Sequence, residues 1–242
     1  MPKDQPEQQA PPVQRLRLRY AKRGRLRFTS HRDFSRAFER AVFRARVPMA
    51  YSSGFNPHPR ISYAGAAPTG SASEAEYLEL ALAEVVVPAD VHAMLDEALP
   101  PGLDVLEVVE SPGGSLSDLL EGSRWRIDLA VAPEATADAV ARFLAADEAL
   151  VERMTKKGMR QFDARAAVVS LVLVDADDAS EGRTTLDVVL RHGTPAVRPD
   201  DVLRGLAAVA GIDTGEAPLM TRLSQGPLLA DGEVGDPLAA RT

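Results

Sequence analysis

The order in which strand-like and helix-like segments follow one another limits the possible folds of this chain more than any other feature. Alternating apolar residues are typical of strands, and apolar residues at a period of about 3.6 are typical of helices. The order strand, helix, strand, strand, helix, strand is predicted twice. The predicted segments are 13–28 (a strand or hairpin), 31–46 (helix), 61–66 and 76–82 (strands), 88–99 (helix) and 103–109 (strand), then 124–131 (strand), 134–146 (helix), 165–174 and 184–191 (strands), 199–210 (helix) and 218–224 (strand).

A local similarity between the two halves supports a duplication. Pro88 to Val91 and Pro199 to Val202 both begin the second helix of their half, each with Asp one residue before the Val. Two successive βαββαβ units are typical of the ferredoxin-like fold. The sequence therefore predicts an α+β protein of two tandem ferredoxin-like domains with antiparallel sheets. The predicted division is a disordered tail at 1–13, a basic domain at 14–110, a linker at 111–123, an acidic domain at 124–225 and a loose tail at 226–242.

The composition excludes several kinds of chemistry. The 242 residues include no cysteine, so the chain holds no disulfide, thiol nucleophile, Cys-ligated zinc or iron–sulfur cluster. With only four histidines, we expect no metal site and no cofactor. The polar N-terminus is unlike a secretory signal, and no apolar run approaches the roughly 20 residues of a membrane-spanning helix. We therefore expect a cytoplasmic protein with no membrane partner.

Positive charge and aromatic residues are concentrated in the first third of the chain. Residues 1–64 contain 14 Lys and Arg against 4 Asp and Glu, a net charge of +10, whereas the whole chain has a net charge of −7. Nine of the twelve aromatic residues lie between Tyr20 and Tyr77. Such an asymmetry predicts a localised anion-binding surface in the first half.

The predicted helix at 31–46 carries arginines at every fourth position: Arg32, Arg36, Arg40 and Arg44. Side chains at this spacing form one stripe along a helix. Guanidinium groups bind phosphate oxygens in a bidentate manner, so the stripe is a candidate phosphate-binding surface. We expect Arg17, Arg19, Arg25 and Arg27 on the preceding strands to extend it. The alternative interpretation is an ordinary solvated helix face.

A second candidate is the loop from Ser52 to Arg60. Pro57 and Pro59 fix their own φ angles and restrict the residues before them, so His58 lies on a stiff segment. The loop is either a structural crossover or a surface that contacts phosphates and base edges. The predicted nucleic-acid-binding residues are Arg25, Arg27, Arg32, Arg36, Arg40, Arg44, Asn56, His58 and Arg60.

The start of the same helix is a third candidate. Ser30 and Asp33 have the spacing of a capping box, and His31 follows the cap. The free N–H groups of a helix start favour an anion, and a histidine there has the chemistry of an acid or base. The simpler interpretation is a structural cap with an incidental histidine. No catalytic residue is assigned in the leading interpretation; His31 and His58 are the candidates in the alternative one.

Three motifs then point to a known family: R-L-R-Y-A-K-R-G-R-L-R-F-T-S-H-R-D at 17–33, Y-S-S-G-F-N-P-H-P-R-I-S-Y at 51–63 and P-x-G-x-x-S-E-A-E-Y-L-E-L at 68–80. They resemble the radical-SAM-linked protein family, an uncharacterised domain found behind radical SAM enzymes or standing alone. The resemblance covers about residues 14–220. It implies a link to radical SAM chemistry or RNA metabolism, with a separate radical SAM enzyme or an E/G-type ribonuclease as partner. It implies no catalytic residues.

These observations lead to one main hypothesis and two alternatives. The main hypothesis is a non-catalytic, RNA-associated accessory protein that binds phosphates through its basic N-terminal face. The first alternative is a metal-independent ribonuclease with His31 or His58 as general base. The second is a protein–protein adaptor that binds a radical SAM enzyme through the acidic second half.

Overall fold

The computed structural model describes residues 8–155, 158–174, 184–215 and 218–239. The chain divides into two compact units, one formed by Met1–Asp118 with Leu238–Thr242 and the other by Leu119–Pro237. Residues 1–7 of the predicted disordered tail and 240–242 of the predicted loose tail lie outside the described residues. In the described part of that second tail, Leu228 pairs with Val234 in a tight turn.

The first unit contains four strands and two helices in the predicted order. They are β1 (Gln14–Lys22), α1 (His31–Arg44), β2 (Ile61–Ala64), β3 (Ala72–Leu82), α2 (Pro88–Ala98) and β4 (Val105–Glu110). β1 pairs with β3 on one side and β4 on the other, and β2 pairs with the far side of β3. The strand order is therefore β4-β1-β3-β2, and all three pairs are antiparallel.

The core of this unit lies between one face of the sheet and the two helices. Because side chains alternate along a strand, every second residue of β1 and of β3 faces the helices. Apolar residues occupy these positions and the helix faces opposite them. The main contributors are Leu16, Leu18 and Tyr20 of β1, Leu78, Leu80 and Leu82 of β3, Phe34, Phe38 and Val42 of α1, and Val91 and Leu95 of α2.

The prediction for residues 13–28 is confirmed in its first half and wrong in its second. Residues Gly24–Phe28 form a short 3₁₀ helix and not a strand. The chain leaves the sheet at Gly24, whose φ of +55° lies in the left-handed region. The Leu26 N–H then donates to the Arg23 carbonyl, and the Arg23 side chain binds Glu74 and Asp104. The turn hydrogen bond and these two long-range ion pairs replace the strand pairing that alternation alone predicts.

The other face of the same sheet contains a buried ion pair. Arg17 is 1% exposed, and its Nε lies 3.2 Å from a carboxylate oxygen of Glu79. Arg15 and the Ser111 hydroxyl also donate to Glu79, at 2.9 and 2.8 Å, and Arg17 donates to the Gly113 carbonyl at 2.7 Å. Burial alone raises the pKa of Glu79, but these three donors outweigh it and hold the pKa below its usual value. The pair thus joins β1, β3 and the segment after β4.

The second unit repeats this strand order and adds a hairpin. Its elements are β5 (Gly122–Leu129), α3 (Pro133–Ala145), β6 (Leu150–Thr155), β7 (Gly158–Asp163), β8 (Val168–Val174), β9 (Thr184–Arg191), α4 (Pro199–Ala210) and β10 (Leu219–Gly226). The sheet order is β10-β5-β9-β8, again antiparallel throughout. β6 and β7 pair only with each other among the described strands.

The predicted strand at 184–191 and helix at 199–210 are confirmed as β9 and α4. The strand predicted at 165–174 is observed as β8, which begins three residues later than predicted because Arg165–Ala167 form a 3₁₀ turn. The β6–β7 hairpin was not predicted. Most of its side chains are exposed or half-buried, so the alternation of apolar and polar residues that reveals a strand is weak there.

The described part of the chain is therefore a mixed α/β protein with antiparallel sheet pairing and four α-helices. None of these helices has the length and apolar composition needed to cross a membrane.

A half-buried histidine completes a hydrogen-bonded network in the second unit. His192 bonds through Nδ1 to the Leu120 carbonyl at 2.7 Å and through Nε2 to the Ser123 hydroxyl at 2.9 Å. The Trp125 indole N–H donates to the same hydroxyl at 2.8 Å. Burial lowers the pKa of His192, and the positive charge of Arg222 lowers it further. The hydrogen bond to the Leu120 carbonyl raises the pKa, but by less than these two effects lower it.

The first prediction concerns stability below neutral pH. A histidine whose pKa is lower in the folded protein binds its proton more readily when unfolded, so folding is favoured above the unfolded pKa and weakened as the pH falls through it. We expect the free energy of unfolding to fall from about pH 7 to pH 5. Denaturant titration of the wild type and of His192→Gln measures this. The wild type must show the steeper fall; parallel curves would contradict the role of His192.

Candidate nucleic-acid interface

The helix α1 presents two chemically different sides. The Ser30 side chain caps its start by accepting a hydrogen bond from the Asp33 N–H at 3.2 Å, as the capping pattern predicts. The buried side chains Phe34, Phe38, Ala41 and Val42 recur at helical spacing and attach α1 to the sheet. The remaining positions are exposed or half-buried, and arginine occupies four of the exposed ones.

Those four arginines form the predicted stripe. Arg32, Arg36, Arg40 and Arg44 are all exposed. In the described part of the chain, none of the four makes an ion pair with a carboxylate. Phe43, which directly precedes the last of them, is 80% exposed. The stripe thus combines uncompensated positive charge with an exposed aromatic ring.

The loop after α1 is held at its base by backbone hydrogen bonds. Tyr51 pairs with Pro59 as an isolated bridge. The Ser52 N–H donates to the His58 carbonyl at 2.9 Å, and the His58 N–H donates to the Ser52 hydroxyl at 3.0 Å. Gly54, at a φ of +132°, turns the chain between the two sides. These cross-loop bonds act together with the two prolines to restrict the backbone of the loop.

The stripe and the loop together form a surface groove, which we call the α1–loop groove. Its volume is about 650 Å³. It is lined by Arg36, Glu39, Arg40, Phe43 and Arg44 of α1 and by Tyr51 and Pro59 of the loop. Tyr51 is 39% exposed. A groove with three guanidinium groups and two aromatic rings has the chemistry to bind a ligand that carries both anionic and planar groups.

The groove brings together only part of the predicted surface. Arg36, Arg40 and Arg44 line it, whereas Arg32 lies further back along α1. Arg25 and Arg27 lie in the 3₁₀ turn before α1, where the Arg27 guanidinium stacks on the Phe28 ring at 4.4 Å. The predicted loop residues Asn56, His58 and Arg60 are not part of the lining; Asn56 and His58 are exposed, and Arg60 is half-buried.

His31, the other histidine of the ribonuclease alternative, packs against β2. Its ring meets the Tyr63 ring edge-on, with 5.1 Å between centroids. The Tyr63 hydroxyl is buried close to Ser35 of α1. Burial raises the pKa of Tyr63 to about 12, the Glu39 carboxylate adds to the rise, and the interaction with Ser35 opposes it. The groove lining includes neither His31 nor His58.

Three residues of the groove were missed in the sequence analysis: Glu39, Phe43 and Tyr51. The sequence contained a signal for Phe43, because this residue lies outside the apolar side of α1 and between Arg40 and Arg44. Tyr51 and Glu39 had none, since only the folded loop brings Tyr51 to the side of α1.

The outer face of the first sheet offers no comparable aromatic platform. Tyr77 of β3 lies opposite Arg19 of β1 on this face, the position from which a ring stacks on bases in many RNA-binding sheets. Tyr77 is only 3% exposed, however, and Arg17, which the sequence predicted to extend the phosphate-binding surface, is buried in its pair with Glu79. The exposed Arg15 on this face is also paired with Glu79, so the unpaired arginines and the exposed rings that line the groove lie on the helix side of this unit.

The fold and this groove define a mixed α/β protein with a basic, aromatic surface groove in its first unit. The chain belongs to a family of uncharacterised proteins conserved in bacteria (DUF2344), whose model matches residues 15–199. No curated protein matches the chain. Among solved structures, it is similar to an unknown protein from Galdieria sulphuraria, at 11% identity and a TM-score of 0.25, over 86% of this chain and 98% of that one.

Proposed function

We propose that this protein is a non-catalytic, RNA-associated accessory protein that binds RNA phosphates through α1 and the loop after it. The observation that carries the proposal is the set of three arginines, Arg36, Arg40 and Arg44, that line one groove without an ion-pair partner among the described residues. Guanidinium forks bind phosphate oxygens directly, and a bound anion offsets the repulsion of a few tenths of a kcal/mol between like charges at this spacing.

The charge distribution supports the same conclusion. Residues 1–64 have a net charge of +10 within a chain whose net charge is −7, so anions are attracted to one region and repelled by the rest. An acidic remainder limits indiscriminate binding of nucleic acid. This arrangement favours a localised RNA contact over a generally basic protein.

We further propose that each unit is a ferredoxin-like domain. The support is the βαββαβ order and the antiparallel strand orders β4-β1-β3-β2 and β10-β5-β9-β8, which correspond position by position. In the second unit the β6–β7 hairpin is an insertion between the first helix and the second strand of this plan.

The proposed association with radical SAM chemistry, or with an E/G-type ribonuclease, rests on the resemblance of the motifs between residues 17 and 80. In this interpretation the protein presents RNA to a separate enzyme in the cytoplasm. The protein itself contributes RNA binding, through the residues that line the α1–loop groove.

The second prediction tests RNA binding. We expect the wild type to bind labelled cellular RNA with an affinity that falls steeply with salt, because phosphate contacts release counterions. Replacing Arg36, Arg40 and Arg44 by alanine removes three contacts and lowers the salt slope of the affinity by about 2, at about 0.7 per contact for single strands. Fluorescence anisotropy at several salt concentrations measures both quantities.

The matched control is the triple alanine variant of Arg142, Arg160 and Arg191. These arginines are exposed in the second unit, and their removal changes the net charge equally. The control must keep the wild-type slope. If both triple variants lose the same affinity, binding reflects net charge alone and the groove is not the site. If the wild type does not bind at low salt, RNA is not the ligand.

A further inference from the structure

We propose that the α1–loop groove holds an unpaired nucleobase stacked on Phe43, with Tyr51 on the opposite wall, so that the protein selects single-stranded over double-stranded RNA. This inference rests on the proposed function, and it names the form of RNA that the site accepts.

The first support is the position of Phe43. An exposed phenylalanine forgoes the free energy that burial of its apolar surface would give. Phe43 is 80% exposed and lies outside the buried side of α1. In the described part of the chain its ring makes no ring–ring or cation–ring contact, unlike Phe28, which Arg27 covers at 4.4 Å. The face of the Phe43 ring is therefore available to a ligand.

The second support is that the opposite wall is prearranged. Tyr51 is bridged to Pro59, and the residue before it, Ala50, donates its N–H to the Ala81 carbonyl of β3 at 2.8 Å. The residue after it, Ser52, bonds across the loop to His58. A residue whose backbone is held on both sides loses little backbone entropy when a planar ligand binds beside its ring.

The third support is the distribution of charge within the groove. Arg36, Arg40 and Arg44 attract phosphates, whereas the half-buried Glu39 repels them and accepts hydrogen bonds. Bases carry N–H donors on their edges, and phosphates carry none. The groove therefore matches a nucleotide whose base enters while its phosphates remain with the arginines. Its volume of about 650 Å³ is within the usual range for small-ligand sites.

A duplex cannot supply such a base. In a double strand each base is paired and stacked between its neighbours, so phosphates, sugars and base edges are accessible but the base faces are not. The arginines still contact a duplex, but the two rings contribute nothing to its binding. Aromatic stacking thus distinguishes the two forms of RNA, whereas charge does not.

The third prediction uses a short unstructured oligoribonucleotide and the same strand annealed to its complement. Phe43→Leu keeps an apolar side chain but removes the ring, and we expect it to weaken single-strand binding about tenfold, because stacking on one ring contributes roughly 1–3 kcal/mol. Duplex affinity is expected to stay unchanged. Phe43→Trp and Tyr51→Phe keep the rings and must retain near-wild-type single-strand affinity. Thermal unfolding of each variant verifies that the fold is intact.

The outcomes separate this inference from the proposed function. If the arginine variant loses affinity but Phe43→Leu binds the single strand as the wild type does, the basic surface is an RNA site and the stacking proposal is wrong. Equal affinity of the wild type for the single strand and the duplex also overturns it. If the wild type binds neither form at low salt, both proposals fail, and the exposed rings serve a different partner such as a protein.

Discussion

Replacing Glu79 by leucine is expected to destabilise the protein by about 3–5 kcal/mol, because it leaves the Arg17 guanidinium buried without a counter-charge. Arg17 is 1% exposed and Glu79 is 8% exposed, so water cannot solvate the orphaned charge. The substitution also removes the acceptor of the Ser111 hydroxyl and of Arg15. Denaturant-induced unfolding followed by circular dichroism measures the loss.

Two controls identify the cause of that loss. The double variant Arg17→Met with Glu79→Leu removes both charges, and we expect it to be more stable than Glu79→Leu alone. Asp138→Asn removes the carboxylate of an exposed pair with Arg142 in α3, and a loss of about 0.5 kcal/mol or less is expected there. A double variant no more stable than the single one would show that lost packing, and not the orphaned charge, causes the effect.

The Phe38→Ala variant is expected to lose about 3–5 kcal/mol of stability, whereas Phe43→Ala on the same helix is expected to lose little. Phe38 is completely buried, and its ring lies 5.7 Å from the Phe34 ring and 6.3 Å from the Tyr20 ring. Its truncation leaves a cavity in the core, whereas truncation of the 80% exposed Phe43 leaves none. Urea titration of the two variants gives the comparison.

The two phenylalanines are a matched pair, since the residue type, the helix and the substitution are the same. A large loss of stability in Phe43→Ala would contradict its assignment to the groove, because it would mean that the ring packs against the fold. Equal small losses in both variants would contradict the core described above.

Local sequence patterns were sufficient to predict α1. Phe34, Phe38, Ala41 and Val42 recur at helical spacing, Ser30 supplies the cap, and both signals act within a few residues. The same reasoning predicted Gly24–Phe28 as a strand and was wrong there. A left-handed glycine followed by short-range hydrogen bonds produces a 3₁₀ turn from residues whose alternation is that of a strand.

The sequence predicted only the helix side of the candidate groove. The spacing of Arg36, Arg40 and Arg44 places them on one helix face, because that geometry follows from the period of the helix. Tyr51 follows seven residues after Arg44, and nothing in that separation shows that it faces the helix. The backbone bonds from Ala50 to Ala81 and from Ser52 to His58 determine its place.

The sequence by itself therefore determined the order of the strands and α-helices in the first unit, the capped amphipathic helix α1 and the concentration of arginine on its exposed side. These properties depend on residues close together in the chain. Only the tertiary structure decided that Arg17 is buried with Glu79 and that Phe43 and Tyr51 line the same groove. Both facts depend on contacts between segments that are distant in sequence, and such contacts form only when the whole unit packs around its core.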